Sequence, residues 1–230
     1  MFLDLTPLKV SRDYRLLFFG QLVSFFGSMM TFIVVPWQMF QLTKSSEMVG
    51  YIYLAEFVPM FCLAFVGGAL ADALDKRKML RFTEIGQTIV TAILLINSLL
   101  PSPQIWVLYV AVALHAGFAA LQRPAFESFI QKVIPNELMS AVMALNSIRF
   151  SVGAIISPAI AGIIAAQFSA SAAYAIDLVT FTASLIAVFL LNAVSSPENA
   201  ERPSWQSVKN GWRYALSRQE LLGTYLIDIA

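Results

Sequence analysis

The sequence predicts an all-α membrane protein whose main unit is a bundle of six transmembrane helices. Hydrophobic residues make up 58% of the chain and charged residues only 13%, with a mean hydropathy of +0.72. An ordinary soluble domain carries about 25% charged residues. The apolar residues fall into long runs, and a run of about 20 residues spans a hydrocarbon core of about 30 Å. The basic residues flank these runs unevenly, as they do in membrane proteins.

The apolar runs are separated by short polar or proline-containing segments. In chain order, the predicted spans are Leu16–Leu42, Met48–Ala71, Phe82–Leu100, Ile105–Gln122, Ala141–Gln167 and Ala172–Val194. The predicted connections include a loop at Asp72–Arg81 and a polar segment at Arg123–Glu137. Pro124 and Pro135 are expected to break the helix within that polar segment.

The C-terminal part of the chain has a different composition. We expect residues 1–194 to form the six-span bundle, 195–220 a cytoplasmic linker and 221–230 the start of a seventh span. Within the linker, Trp205, Val208 and Trp212 recur at helical spacing opposite Lys209 and Arg213, which predicts an amphipathic surface helix. The last ten residues are apolar and would rise only about 15 Å as a helix, so the chain is expected to end inside that span.

The basic residues predict the orientation of the bundle. Of the 15 lysines and arginines, all but Lys44 and Arg149 lie on the side that this topology places together with the N-terminus. The positive-inside rule therefore predicts a cytoplasmic N-terminus. The net charge of +1 gives no reason to expect a nucleic-acid partner.

The chain lacks the residue combinations of common enzyme and metal sites. It has one histidine and one cysteine, Cys62, which excludes most catalytic triads and most transition-metal sites. It has no glycine-rich phosphate loop with a Walker-type lysine. We therefore expect no enzymatic activity, no cofactor and no metal. Energy for any transport would come from an ion gradient.

Four ionisable residues are predicted at membrane depth, where such groups usually face a cavity or a partner. They are Glu56, His115, Arg149 and Asp177. Glu56 is either a proton- or cation-binding group or a polar packing residue. His115 is either a titrating group or a hydrogen-bonded one, and Asp177 is either functional or close to the outer interface. Arg149 is expected to pair with a carboxylate or to extend toward the cytoplasm rather than to hold substrate.

The first span carries amide, hydroxyl and aromatic side chains that suit an amphipathic substrate. Gln21 is the candidate among them for the wall of a substrate cavity. Lipid contact or helix packing is the alternative role for this set.

Two short motifs lie at defined places in the chain. The loop motif after the second span consists of Gly68, Asp72, Lys76, Arg77 and Lys78. The motif of the fifth span consists of Gly153, Ser157, Pro158 and Gly162. The loop motif resembles the loop signature of the major facilitator superfamily. The fifth-span motif resembles the antiporter signature of its drug/proton antiporter branch, which includes enterobactin-exporter-like proteins. The resemblance covers essentially the whole chain and implies the N-terminal half of a major facilitator fold in a bacterial inner membrane.

The resemblance also implies roles for these motifs. Asp72 and the neighbouring bases would form a cytoplasmic latch between two halves, although the bases would serve equally as topology determinants or lipid-phosphate contacts. The fifth-span motif would pack against the other half, or else within this half. The chain departs from the family at Ala113, where many proton-coupled members carry an arginine. Coupling through that arginine is therefore not carried over.

Two functional hypotheses follow. The first is a secondary transporter that exports a small amphipathic drug or siderophore-like compound in exchange for protons, by alternating access. Its expected partners are the lipid bilayer, the substrate, protons and a second six-span half or a homodimer partner. The second is a truncated half-transporter that acts only as a membrane interaction subunit.

Overall fold

The computed structural model describes the backbone of residues 4–73 and 75–192, with all of their side chains except those of residues 64–73 and 165–166. The described chain forms seven α-helices and one 3₁₀ turn, and it contains no strand within those residues. In order, they are α1 (Thr6–Val10), α2 (Arg12–Thr43), α3 (Ser46–Ala73), α4 (Lys76–Ser98), α5 (Ile105–Val133), the 3₁₀ turn (Asn136–Leu138), α6 (Met139–Gln167) and α7 (Ala170–Phe189).

Six of these helices, α2 to α7, are long and apolar enough to cross a membrane. This confirms the predicted six-helix bundle. The predicted linker (195–220) and the predicted start of a seventh span (221–230) lie outside the described residues.

The predicted loop at Asp72–Arg81 is wrong in extent, because α4 begins within it at Lys76. Asp75 is the N-cap of α4, and its Oδ1 accepts a hydrogen bond from the backbone N–H of Lys78 at 3.1 Å. An aspartate in this position satisfies one of the unpaired N–H groups of the first turn. Lys76, Arg77 and Lys78 are therefore helical, and the connection to α3 is short.

The predicted break at Pro124 is also wrong, because α5 continues through this proline to Val133. Neighbouring helices allow a proline inside a membrane helix, since they compensate for the lost backbone hydrogen bond. Pro135 does lie in a connection, at the start of the 3₁₀ turn before α6.

Each long helix packs against particular neighbours. α2 packs against α7 and α6, α3 packs against α5, and α4 packs against both α5 and α7. We call the end of the bundle that holds the start of α2 and the end of α7 the basic end. There, Arg81 donates to the backbone oxygen of Phe189 at 2.8 Å and lies over its ring. A cation at a helix C-terminus interacts favourably with the unpaired carbonyl groups.

The buried apolar side chains form two separate clusters along the bundle. One lies toward the basic end and includes Tyr14, Leu80 and Phe129. The other lies toward the opposite end and includes Val35, Leu94 and Tyr174. On α2, α4 and α7, buried polar residues lie between the two clusters, among them Thr31, Glu84 and Asp177, and these place the candidate site.

Candidate functional site

A central polar layer lies between the two apolar clusters. We define it by its two carboxylates and the side chains that bond to them: Gln21, Thr31, Glu84, Thr91, Gln122, Asp177 and Thr180. They come from α2, α4, α5 and α7. Polar groups in such a position are costly in a membrane unless they are hydrogen-bonded to each other.

Asp177 is fully buried and surrounded by hydroxyl groups. Its Oδ2 accepts hydrogen bonds from Thr31 at 2.5 Å and from Thr91 at 3.5 Å, and its Oδ1 accepts one from Thr180 at 3.4 Å. The carboxylate thus connects α2, α4 and α7. The sequence placed Asp177 at membrane depth but left an interfacial position open, and the structure shows a buried one.

Gly27 allows α2 to approach this carboxylate. A Cβ atom added at Gly27 would overlap Oδ1 of Asp177 and Oγ1 of Thr180, and it would lie 3.1 Å from the Cα of Asp177. Only a residue without a side chain leaves room for this contact. Small residues permit such close approach between membrane helices.

Glu84 is the second buried carboxylate, and the sequence analysis missed it. It is fully buried on α4, and its Oε2 accepts hydrogen bonds from the side-chain amides of Gln21, at 3.3 Å, and Gln122. The available signal was the periodicity of the third span. The polar residues Thr83, Glu84, Gln87 and Thr91 recur there at helical spacing and would have marked an inward polar face.

Neither carboxylate forms an ion pair among the described side chains. Their partners are neutral amides and hydroxyls, which can donate hydrogen bonds but cannot balance a negative charge. Burying an isolated charge costs several kcal/mol or more, and such a group is commonly neutralised instead. The layer therefore suits the uptake and release of a small cation, the proton being the smallest.

Gln21 was predicted to line a substrate cavity, and in the structure it contacts Glu84 within the bundle. Glu56, on α3, is partly buried and forms no hydrogen bond or ion pair with the polar layer among the described side chains. His115, on α5, packs edge-on against the ring of Phe181 at 5.6 Å, and its Nε2 is buried without a hydrogen-bond partner. The structure thus brings Asp177 and Gln21 into one layer but does not bring Glu56 into it.

Arg149 was expected either to pair with a carboxylate or to extend toward the cytoplasm, and it forms no ion pair with a carboxylate among the described side chains. Its guanidinium lies over the rings of Phe126 at 5.3 Å and Phe25 at 6.0 Å, and its Nε and Nη1 are buried without hydrogen-bond partners. Aromatic faces attract a cation electrostatically. Arg149 therefore connects α6 to α2 and α5 through its contacts with rings.

The fifth-span motif is divided between two faces of α6. Gly153 and Ser157 are buried toward the bundle, and a Cβ atom added at Gly153 would overlap the ring of Phe25. Pro158 and Gly162 lie on an exposed face, and a Cβ atom added at Gly162 would meet no atom within 4 Å. The first pair packs within the bundle, and the second pair is exposed.

The loop motif is described only in part. Gly68 and Asp72 belong to the backbone of α3, and the side chain of Asp72 lies outside the description. Lys76 is buried, whereas Arg77 donates to the backbone oxygen of Phe189 at 3.3 Å and Lys78 is exposed. Arg77 thus helps to hold α4 against the end of α7.

Comparison with solved structures identifies the fold. The chain superposes on the peptide transporter POT in complex with sulfate with a TM-score of 0.69 and 14% identity, covering 95% of this chain and 45% of that one. A mutant of that transporter with the same anion gives a TM-score of 0.70 at 14% identity, with the same coverage.

Comparison with curated proteins points to exporters. The chain is 25% identical over 225 residues to the enterobactin exporter EntS of Shigella boydii serotype 18, and 24% identical to that of Escherichia coli O1:K1. Both matches cover 98% of this chain and 54% of the relative, so the chain spans about half the length of these relatives.

The family model described as transmembrane secretion effector matches residues 4–226, which is nearly the whole chain. Its members and the structural neighbours are transporters and not enzymes, as the sequence predicted. The chain therefore belongs to the transmembrane secretion effector family of the major facilitator superfamily, as an enterobactin-exporter-like N-terminal half.

Proposed function

We propose that this chain is the N-terminal half of a secondary transporter that exports a small amphipathic compound, siderophore-like or drug-like, in exchange for protons. The observation that carries the proposal is the match to enterobactin exporters over 98% of the chain. The comparisons do not favour the alternative of an interaction subunit without transport.

Asp177 is our candidate for the coupling residue. A carboxylate surrounded by hydroxyl groups can keep its hydrogen bonds in either protonation state, because a hydroxyl both donates and accepts. Its protonation would change the interactions that hold α2, α4 and α7 together. A coupling ion has to shift the equilibrium between two arrangements of the helices. A carboxylate that contacts three helices is suited to this, because its protonation affects all three. Glu56, outside the layer, is a second candidate.

A second six-span half would cover α3 and α6. Among the six long helices, the described parts of these two are the least buried. The open face of α6 at Pro158 and Gly162 offers a close helix contact. Alternating access would then be a rocking of the two halves around a site near the middle of the membrane. A homodimer would supply the same two halves from two copies.

At the basic end, Asp72 and the bases at Lys76, Arg77 and Lys78 would form the latch between the halves. Arg77 also contacts the end of α7, and this contact supports an additional structural role for it. We place this end in the cytoplasm and the protein in the bacterial inner membrane, on the distribution of its basic residues.

The test is transport by the full-length protein in liposomes with an imposed proton gradient. Enterobactin and a panel of fluorescent amphipathic compounds would be offered as substrates. We expect at least one of them to move against the proton flux and to stop moving when an uncoupler collapses the gradient. Movement of no compound in the panel, or movement that is insensitive to the gradient, would contradict the proposal.

A further inference from the structure

We propose that a groove between α2 and α7, at the basic end of the bundle, holds one phospholipid with a negatively charged headgroup. One acyl chain lies in the groove, and the phosphate binds Arg12 and Arg15. This inference goes beyond the proposed function, because it depends on the membrane-spanning bundle and not on transport. No residue that lines the groove belongs to the central polar layer.

The groove has a volume of about 400 Å³, and small residues on both helices make room for it. They are Gly20 on α2 and Ala183 and Ala187 on α7. A Cβ atom added at Gly20 would lie 3.0 Å from the Cβ of Ala187, so the two helices are close here. Phe19 and Val23 also line the groove and are 50% and 40% exposed. Every lining residue except one arginine is apolar, which suits a hydrocarbon chain.

The groove has nearly the depth of one leaflet of the bilayer. Arg15 lies near the start of α2 and Ala187 near the end of α7, so the groove opens at the basic end. Arg15 and Val23 are eight residues apart, which is about 12 Å along a helix, and half of the hydrocarbon core is about 15 Å thick. No charged residue occurs from Leu16 to Thr43. Arg15 therefore marks the level of the headgroups, and the rest of the groove lies among the acyl chains.

The groove lies on a different side of α2 from α6, which is one of the helices that the proposed second half would cover. Phe25 is where α2 meets α6, because its ring contacts Arg149 and leaves no room for a side chain at Gly153. Val23 is two residues from Phe25, and this spacing turns it about 200° around the helix. A lipid can therefore occupy the groove while a second half is in place.

Arg12 and Arg15 supply the charge that a phosphate requires. They are three residues apart on α2, so their side chains are neighbours on one face, and both are exposed. Neither forms an ion pair among the side chains that the structure describes. Arg15 donates one long hydrogen bond, to the backbone oxygen of Leu8 at 3.5 Å. The remaining guanidinium N–H groups can bind phosphate oxygens through paired hydrogen bonds.

The acidic residues on α2 and next to α1 are engaged elsewhere. Asp13 accepts hydrogen bonds from the backbone and side-chain N–H groups of Asn192, at 3.4 and 3.1 Å. Asp4 accepts one from the backbone N–H of Thr6 at 2.9 Å. Lys9, on α1, is exposed and positive, as are the two arginines of α4 that contact the end of α7. This excess of positive charge favours an anionic headgroup over a zwitterionic one.

The experiment is native mass spectrometry of the purified full-length protein. The protein is titrated separately with phosphatidylglycerol and with phosphatidylcholine of the same acyl chains. We expect the first phosphatidylglycerol to bind more tightly than the first phosphatidylcholine. Arg15→Gln should lower the affinity for phosphatidylglycerol about fivefold, the effect of one basic residue near an anionic lipid, and leave phosphatidylcholine unchanged. Arg123→Gln removes an exposed arginine of α5 and is the control that should change neither affinity.

A second variant, Ala183→Phe, tests the position of the acyl chain. Ala183 is exposed, so a phenyl ring can enter the groove without disturbing the core. We expect this variant to lose the first bound lipid of either kind, because the ring takes the place of the chain. Ile186→Phe is the matched control, since Ile186 is exposed on the same helix but does not line the groove.

Equal affinities of the wild type for the two lipids would overturn the proposal, and so would wild-type affinities in Arg15→Gln or in Ala183→Phe. A third contrary result is a wild type that retains no lipid, together with a lower midpoint temperature of unfolding in Ala183→Phe than in Ile186→Phe. Another segment of the chain would then cover the groove. None of these measurements depends on export, so a failure of the transport assay contradicts only the proposed function.

Discussion

Thr31 Oγ1 donates a hydrogen bond to Asp177 Oδ2 across 2.5 Å, which joins the first long helix to the last. Replacing Thr31 with valine keeps the shape and removes the donor. A buried polar group left short of a partner costs about 1–3 kcal/mol. We therefore expect Thr31→Val to lower the free energy of unfolding by about that amount, measured by chemical or thermal unfolding in detergent.

Thr182→Val is the matched control for this prediction. The hydroxyl of Thr182 is exposed and bonds only to the carbonyl of Leu178 in its own helix. It should have little effect on stability. Equal losses of unfolding free energy in the two variants would show that the hydrogen bond between Thr31 and Asp177 stabilises the fold no more than an exposed one does.

Asp177→Asn should reduce proton-coupled export without unfolding the protein. Asparagine has nearly the same shape and can keep hydrogen bonds to the surrounding threonines, but it cannot take up a proton. We expect the purified variant to remain folded, while uphill export falls at least about tenfold, the equivalent of about 1.4 kcal/mol. The measurement is uptake into inverted vesicles with and without a proton gradient, and Glu127→Gln is the control. Wild-type coupling in Asp177→Asn would exclude this residue as the coupling site.

Gly27→Ala should destabilise the contact between α2 and α7. The added methyl group would overlap Asp177 and Thr180, and overpacking of this kind costs about 1–3 kcal/mol. We expect the midpoint temperature of unfolding to fall. It is measured by heating samples and then quantifying the protein that remains folded by size-exclusion chromatography. Gly50→Ala is the control, because a Cβ atom at Gly50 meets nothing within 4 Å. An unchanged midpoint in Gly27→Ala would contradict the close approach of the two helices.

Gly162→Leu should affect transport without affecting this half. Its position on α6 is open in the structure, so a larger side chain fits against lipid. If the second half packs there, the same side chain separates the halves. We expect the thermal stability of this bundle to be unchanged. Export should fall about tenfold, because a steric clash between the halves of about 1.4 kcal/mol corresponds to that factor. Gly50→Leu is the matched control, and normal export by Gly162→Leu would place the second half elsewhere.

Cysteine labelling should show which side of the membrane holds the basic end. In a Cys62→Ser background, Lys78→Cys and Lys44→Cys place single thiols at opposite ends of the bundle. We expect a membrane-impermeant maleimide added to intact cells to label Lys44→Cys at once, and Lys78→Cys only after permeabilisation. The reverse pattern would invert the topology and remove the basis for a cytoplasmic latch.

The helices themselves could be predicted from the sequence, because hydropathy and helical period are properties of neighbouring residues. The limits of the spans were less predictable. α4 begins inside the expected loop because Asp75 caps it, and α5 passes through Pro124. Both depend on local hydrogen bonds and packing that composition alone does not reveal.

The sequence by itself determined the six membrane-spanning helices within the described residues, and its motifs indicated the superfamily, because both depend on residues close together in the chain. Only the tertiary structure decided which polar groups meet. Thr31 and Asp177 are 146 residues apart, and Gln21 and Glu84 are 63 apart. Their contacts depend on how α2, α4 and α7 pack and rotate against each other, and the packing of α6 likewise buries Gly153 and leaves Gly162 exposed on the same motif. Helix packing, and not local pattern, therefore made the candidate site.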